Sequence, residues 1–416
     1  MPSNTPPQQS LLVRTWNLLS SALGRSASQP LSSAALIASA MEKSGSKVSL
    51  PADAATGLEH LVGALNESAD LHPFGRYYVS ELLVGLLSNH LKLLTYQAAH
   101  PEVINAPVSR PLIILGLPRS GTSFLFNLLA CDPEHRYLSN WETTVSQMPP
   151  RQATAREHDP RRRTGRFLMA FQRYLAPQLE HIHEFYLDGP EECTPILMQS
   201  FATQALAGMF NVPGYSTWLD HVDHRPTYVH HRGALQVLQA TYPAKRWLLK
   251  SPDHLAALDC LLDTYPDACL VHLHRDPVQS VASWASLNAA FRGICASRID
   301  NAELGQQVLQ RLATDMDAYL AARRRRPEHG VLDIPYKRLI ADPMGTVSAI
   351  YGHFGLEFGG SAGSQLSDFL AKDREKPRSH RYTPEDFGLS GESIRERFAD
   401  YMSTFDLGPG KPASSG

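Results

Sequence analysis

Cysteine is sparse: Cys131, Cys193, Cys260, Cys269 and Cys295 are all there are in 416 residues, an odd number with no C-x-x-C spacing. That excludes a disulfide framework or a zinc knuckle as the basis of the fold and fits a reducing compartment. Charge is scarce as well. Charged residues make up 19% of the chain, and 39 Lys and Arg against 41 Asp and Glu leave a net charge of −2. There is then no overall basic field to gather nucleic acid or anionic lipid, and any anion has to be caught by a local site. No apolar run approaches the ~20 residues that span a bilayer. Arg14 interrupts the stretch from Leu11 to Leu23, and no cationic segment leads into it. Neither a transmembrane segment nor a signal peptide is expected, and the expected location is cytoplasmic.

What is present is an apolar content of 43%, enough for a large core. Dividing the length by ~150 residues per domain gives about three domains as an upper bound. Residues 1–30 and 408–416, rich in Pro, Ser, Gln and Gly toward the ends, read as flexible termini. From 31 to 108 apolar residues recur at three and four, as in Leu82, Leu83, Leu86, Leu87, Leu91 and Leu94, which predicts a helical N-terminal subdomain. At Pro111-Leu-Ile-Ile-Leu115 the pattern becomes a short apolar run, a glycine and then a new helix. The same grammar returns at Trp247–Leu249, Cys269–Leu273 and Val331–Ile334. Strands alternating with helices of ten or more residues predict an α/β domain over 109–407, with a parallel sheet flanked by helices. Residues 151–243 read mainly as helix and suit an acceptor-binding insertion over the carboxyl ends of the strands.

Gly116-Leu-Pro-Arg-Ser-Gly-Thr-Ser123 follows a strand and opens a helix, so backbone N–H groups and the helix's positive end converge on an anion. A nucleotide triphosphatase loop carries Lys where Thr122 stands, to reach the β and γ phosphates. Here the cation is Arg119, three residues earlier, and Thr122 and Ser123 add two hydroxyls. That set suits a phosphate-like group with one bridging oxygen to neutralise, rather than a metal-clamped triphosphate. Taken alone the loop is also compatible with a plain tight turn.

In this loop the sequence resembles the sulfotransferases that use 3′-phosphoadenosine 5′-phosphosulfate (PAPS), and "GLPRSGTSFLFNLL" is similar to their tyrosylprotein branch. "RWLLKSPDHLAALDCLLDTYPDACLVHLHRDPVQSVASWASL" is similar to the family's second nucleotide segment. The resemblance implies a P-loop-like α/β fold and a transferase that moves sulfonate from PAPS to a hydroxyl, leaving adenosine 3′,5′-bisphosphate. It implies that Arg119, Ser120, Gly121, Thr122 and Ser123 hold the 5′-phosphosulfate, and that Arg275 and Ser283 hold the 3′-phosphate. Arg275 offers a fixed guanidinium fork, and Ser283 lies two turns into the next helix. By itself Arg-Asp-Pro at a helix start also reads as a cap with an ion pair. Lys250 is a third strand-end cation, placed to touch the sulfonate or the acceptor; alternatively it is a solvated lysine before a turn.

The transfer needs an aligned acceptor oxygen, a base, and cations at the departing oxygen, with Arg119 in the last role. The resemblance points to Glu142 of "SNWETT" as the base. Asp188, Glu191 and Glu192 are further candidates, and His254, beside the strand-end lysine, is another. No metal is expected: His181 with His183, His221 with His224, and His230 with His231 lack ligand spacing for helical segments. Arg378, His380, Arg381 and Tyr382 resemble a C-terminal loop that folds over nucleotide or acceptor. Phe185, Tyr186, Met198, Phe201, Met209, Phe210 and Trp218 supply apolar surface in the insertion, as core or as pocket. The partner expected is a small or lipid-like hydroxyl acceptor. The alternatives are an ATP-dependent P-loop phosphotransferase and a non-catalytic nucleotide-binding protein.

Overall fold

A computed structural model describes residues 10–22, 29–149, 152, 154–179, 186–243, 245–357, 361–373 and 383–408. Its strands are β1 (Leu112–Leu115), β2 (His135–Arg136), β3 (Leu138–Ser139), β4 (Pro190–Glu191), β5 (Arg246–Lys250), β6 (Cys269–His274) and β7 (Val331–Pro335). Five of them form a parallel sheet in the order β2-β5-β1-β6-β7, and β3 pairs antiparallel with β4 in a small ribbon. The expected α/β architecture is therefore what the chain adopts.

The central strand β1 is apolar at every position because both of its faces are covered. Leu112 and Ile114 pack with Phe126, Leu128, Leu129 and Tyr351 on one side. Ile113 and Leu115 pack with Leu249, Val281 and Leu312 on the other. Helices Thr122–Leu129, Leu258–Thr264, Pro277–Cys295 and Asn301–Arg325 make the crossovers between strands.

The N-terminal helices Ser33–Ser44, Ala52–Ser68 and Pro73–Ala99 bury the predicted leucine stripe, including Leu83, Leu86, Leu87 and Leu91. They close over one core with residues of the insertion: Met198, Phe201 and Phe210 are buried there, and Met209 and Trp218 pack against it. Those side chains are core rather than pocket. Tyr186 is exposed, and Phe185 lies outside the described residues. The short strands β2, β3 and β4 escape sequence reading, since two residues carry no periodicity and are held in place by their neighbours' backbones.

Candidate active site

The parallel register sets three strand ends side by side. Lys250 lies opposite Ile114, and His272 lies opposite Leu115. The loop after β1 therefore emerges between Lys250 on β5 and Arg275 just beyond β6. Open α/β sheets bind ligands in such a crevice.

The loop is tightly wound. Gly116, Arg119 and Gly121 all have positive φ (149°, 64° and 94°). A Cβ on Gly121 would stand 2.8 Å from a ring carbon of Tyr336, in a conformation that L side chains rarely adopt. Ser120 is buried and its hydroxyl donates to the Leu117 carbonyl at 2.7 Å, which closes the turn. Gly121 precedes the first turn of helix Thr122–Leu129 in the left-handed conformation, and Thr122 is buried below it. The Arg119 side chain is exposed at the loop tip, and Ser123 is exposed on the first helical turn.

Arg275 is joined to that loop. Its Nη1 donates to the Arg119 carbonyl at 2.8 Å, and its guanidinium lies over the Tyr336 ring at 3.9 Å. The cap and ion pair anticipated for Arg-Asp-Pro are present, but they belong to Asp276. Its carboxylate accepts from the Val278 amide at 3.0 Å and pairs with Arg395 at 2.9 Å. Arg275 is thereby left to face the loop. Ser283 is half-buried two turns into helix Pro277–Cys295.

Lys250 is buried, not solvated. Its ammonium bonds Ser123 Oγ at 2.9 Å and Glu192 Oε1 at 2.5 Å. The Thr194 hydroxyl stands 3.2 Å from Glu192 Oε2 and 3.3 Å from Asp253 Oδ2, joining the two carboxylates. Burial raises the pKa of Asp253; the Ser251 hydroxyl at 2.9 Å works against that rise, and the charge of Glu192 adds to it. Glu191 points elsewhere, accepting from Asn140 Nδ2 at 3.0 Å. Asp188 holds Arg162 at 2.5 Å and the Trp141 indole at 3.1 Å.

Glu142, the residue expected as the base, is held among cations. Its carboxylate is fully buried and shared between Arg136, at 2.6 and 3.0 Å, and Arg156, at 3.0 Å. It also accepts from the Ser139 amide at 3.0 Å, completing a capping box on helix Asn140–Thr144. Burial alone raises its pKa, yet Arg136 and Arg156 outweigh it and hold the group below the usual carboxylate range. A carboxylate so saturated is a poor proton acceptor. Its local signature, Ser139 three residues before Glu142, is that of a capping box.

His254 is also buried. Its Nδ1 bonds the Tyr228 hydroxyl at 2.9 Å, and burial pushes its pKa down to about 3. His230 meets the Gln199 side chain at 3.2 Å and His231 the Tyr265 hydroxyl at 2.7 Å, both inside the core. Among the described residues, the grouping with metal-ligand chemistry is His272, His274 and Asp333, whose ligand atoms lie within 4.8 Å of one another. Arg323 donates to both oxygens of that aspartate at 2.7 Å, so a guanidinium already supplies the positive charge there. Alternation along a strand puts His272 and His274 on one face, a two-residue spacing that helical ligand patterns do not contain. His181, His183, Arg378, His380, Arg381 and Tyr382 lie outside the described residues.

A cavity of about 360 Å³ opens beside the strand ends. Pro118 of the loop and Asp253 stand at one side; Gln204, Trp284, Asn288 and Arg292 help to wall it. It runs between helices Gln204–Met209 and Pro213–Leu219 of the insertion and helices Pro277–Cys295 and Asn301–Arg325. No helix among the described residues is long and apolar enough to cross a membrane.

Comparison with known proteins agrees with this arrangement. Two solved bacterial structures share the fold over nearly their whole length. Sulfotransferase STF9 from Mycobacterium avium superposes with a TM-score of 0.81 at 29% identity, covering 92% of this chain and 98% of that one. Sulfotransferase STF1 from Mycobacterium tuberculosis does so with a TM-score of 0.77 at 30% identity, covering 89% and 99%. A relative in Mycobacterium bovis, omega-hydroxy-beta-dihydromenaquinone-9 sulfotransferase Stf3, is 26% identical over 275 residues. That stretch is 59% of this chain and 63% of the relative, so the match spans less than two thirds of the relative's length. The sequence pattern of the sulfotransferase family matches residues 111–359, and the chain belongs to that family.

Proposed function

We propose that the protein transfers a sulfonate group from PAPS to a hydroxyl of a lipid-like acceptor held in the cavity beside the strand ends. The observation that carries this reading is the bond from Arg275 Nη1 to the Arg119 carbonyl. It ties two anion-ready strand ends together, as a donor with phosphates at both ends requires and a simple kinase does not. The Mycobacterium bovis relative, whose name specifies a hydroxylated menaquinone, supports a lipid-like acceptor.

In this reading Ser120 holds the loop in shape through the bonds of its amide and hydroxyl to the Leu117 carbonyl, the Gly121 amide and the first turn at Thr122 and Ser123 hold the 5′-phosphosulfate, and Arg119 neutralises the bridging oxygen as it departs. Arg275 and Ser283 hold the 3′-phosphate. Lys250 has three N–H donors. Two serve Ser123 and Glu192, and the third is directed to the sulfonate. Among the carboxylate candidates the proton acceptor is Glu192, beside Lys250 and linked through Thr194 to Asp253 at the cavity wall. The acceptor oxygen forms its bond to sulfur as the bond to the bridging oxygen breaks. Glu192 takes the hydroxyl proton, and adenosine 3′,5′-bisphosphate leaves with the electron pair. Glu142 acts as a positioning residue: it fixes helix Asn140–Thr144, whose Asn140 anchors Glu191 next to the base.

The test is incubation of the protein and PAPS with a lipid extract, followed by mass spectrometry. Products heavier by one SO₃ unit are expected, with a yield indifferent to chelation of magnesium. ATP-dependent phosphorylation that requires magnesium would instead establish the phosphotransferase. Binding of PAPS with no product, unchanged in Glu192→Gln, would establish a non-catalytic binding protein.

A further inference from the structure

Two helices expose apolar surface on one side of the molecule. In helix Leu11–Ala22, Val13 is buried, Trp16 stacks on Tyr77 with ring centroids 5.1 Å apart, and Asn17 accepts from the Phe74 amide at 2.9 Å. At 100° per residue, Leu11, Leu18 and Leu19 turn away from that packed face, and Leu12 lies at its edge. Leu11 and Leu18 are exposed by 75% and 73%.

The start of this helix meets the end of helix Arg161–Leu175, where the Leu12 amide donates to the Tyr174 hydroxyl at 3.4 Å. Along that second helix Phe167, Phe171 and Tyr174 form a stripe, with Phe167 stacked on Phe171 and itself exposed by 69%. Leu168 is exposed nearby, and Arg163, Arg166 and Arg173 run beside the stripe on the open side. Neither Arg163 nor Arg166 has a carboxylate partner among the described residues; Arg14 adds a further exposed cation on the neighbouring helix.

The geometry points to a bilayer-docking face that settles on anionic lipid headgroups, with the Leu11–Leu19 face and Phe167 entering the outer acyl layer. The two helices meet at the Leu12–Tyr174 contact and both leave large apolar side chains exposed, which suits a planar, yielding partner. The arginines flank the apolar stripe on the exposed side, which is the charge complement of an anionic headgroup layer. Exposed apolar residues of this size, grouped instead of scattered, mark an interaction surface.

The face also lies one layer from the chemistry. Gly165 packs so closely on Trp141 that a Cβ there would come within 2.8 Å of the Trp141 Cβ, and the Arg161 guanidinium lies over the Trp141 ring at 4.8 Å. The preceding residue, Asn140, holds Glu191. Docking would thus present the site to a lipid-borne hydroxyl. The inference extends the proposed lipid-like acceptor, but vesicle binding tests it without donor or acceptor.

The experiment is co-sedimentation of the full chain with vesicles of phosphatidylcholine alone or with phosphatidylglycerol, at low and high salt. The wild type is expected to bind the anionic vesicles and to release them as salt rises. Leu18→Ser with Phe167→Ser should weaken binding at least tenfold. Arg163→Ser with Arg166→Ser should weaken binding to the anionic vesicles by about thirtyfold, at ~1 kcal/mol per arginine, and leave phosphatidylcholine binding unchanged. All these positions are exposed, so thermal stability and PAPS affinity should match the wild type. Absence of binding to anionic vesicles, or binding equal in wild type and variants, overturns the inference. So does a dimer in analytical ultracentrifugation that the leucine and phenylalanine changes dissolve while vesicles are ignored, since a second copy would then be the occupant. Loss of PAPS binding with vesicle binding intact would count against the sulfotransferase chemistry alone.

Discussion

Glu142→Gln and Glu192→Gln separate a carboxylate that holds the fold from one that moves a proton. Glu142 neutralises Arg136, which is 6% exposed, and shares the charge of Arg156. The amide cannot do so, and breaking a buried pair from one side costs about 3–5 kcal/mol. At ~2.1 cal/mol/K per residue, unfolding 416 residues carries an entropy near 0.9 kcal/mol/K. The expected fall in Tm for Glu142→Gln is therefore about 3–6 °C. Because its folded pKa is depressed, Glu142 contributes stability above the unfolded value of 4.5, and that contribution disappears as pH drops through the folded pKa. The Tm deficit of the variant should accordingly shrink in acid. Glu192→Gln also takes the carboxylate from a buried cation, Lys250, so a fall in Tm of similar size is expected, but together with a loss of ~10²–10⁴-fold in kcat. Differential scanning fluorimetry from acid to neutral pH, paired with turnover of an acceptor found by mass spectrometry, reads both. The reasoning fails if Glu142→Gln melts like the wild type while turnover collapses, or if Glu192→Gln turns over normally.

Arg119→Ala should lower kcat by ~10²-fold or more with a smaller change in PAPS affinity, as loss of a partner for the departing oxygen requires; steady-state kinetics decides it. Gly121→Ala, forced into positive φ against the Tyr336 ring, should cost ~1–2 kcal/mol and weaken PAPS binding by about tenfold in calorimetry. Wild-type affinity in that variant would contradict the loop geometry. Asp253 has a raised folded pKa, so its neutral form stabilises the fold in acid and that stability is lost as pH climbs through the folded value. The Tm of Asp253→Asn relative to wild type should thus rise as pH climbs above the unfolded value of 3.8, and parallel curves would refute the assignment.

Much of this architecture is legible in the sequence because buried parallel strands and amphipathic helices leave periodic signatures. Leu112–Leu115, Cys269–His274 and the leucines of Pro73–Ala99 all show them. The tight loop between β1 and the following helix is legible for a different reason: a turn with positive φ at Gly116 and Gly121 needs glycine at fixed offsets. The surroundings of Glu142 are not legible, since a capping box and a catalytic Glu-Thr pair look alike until Arg136 and Arg156 converge on it from β2 and from the 3₁₀ turn Arg156–His158. The link from Lys250 through Glu192 and Thr194 to Asp253 joins residues up to 61 positions apart, through contacts that only the folded sheet supplies. The two readings of Lys250, a cation at the site or a solvated lysine before a turn, stay open in the sequence because nothing nearby reveals the carboxylate that covers it.

The central claim is that neighbouring strand ends grip the two ends of one adenylate. Titration calorimetry of adenosine 3′,5′-bisphosphate against adenosine 5′-phosphate tests it most directly. The wild type should prefer the bisphosphate by roughly 10–100-fold, the worth of a charge-assisted hydrogen bond of about 1.5–3 kcal/mol. Arg275→Ala should erase that preference and leave 5′-phosphate affinity as it was. A variant that still favours the bisphosphate as strongly as the wild type would contradict the account.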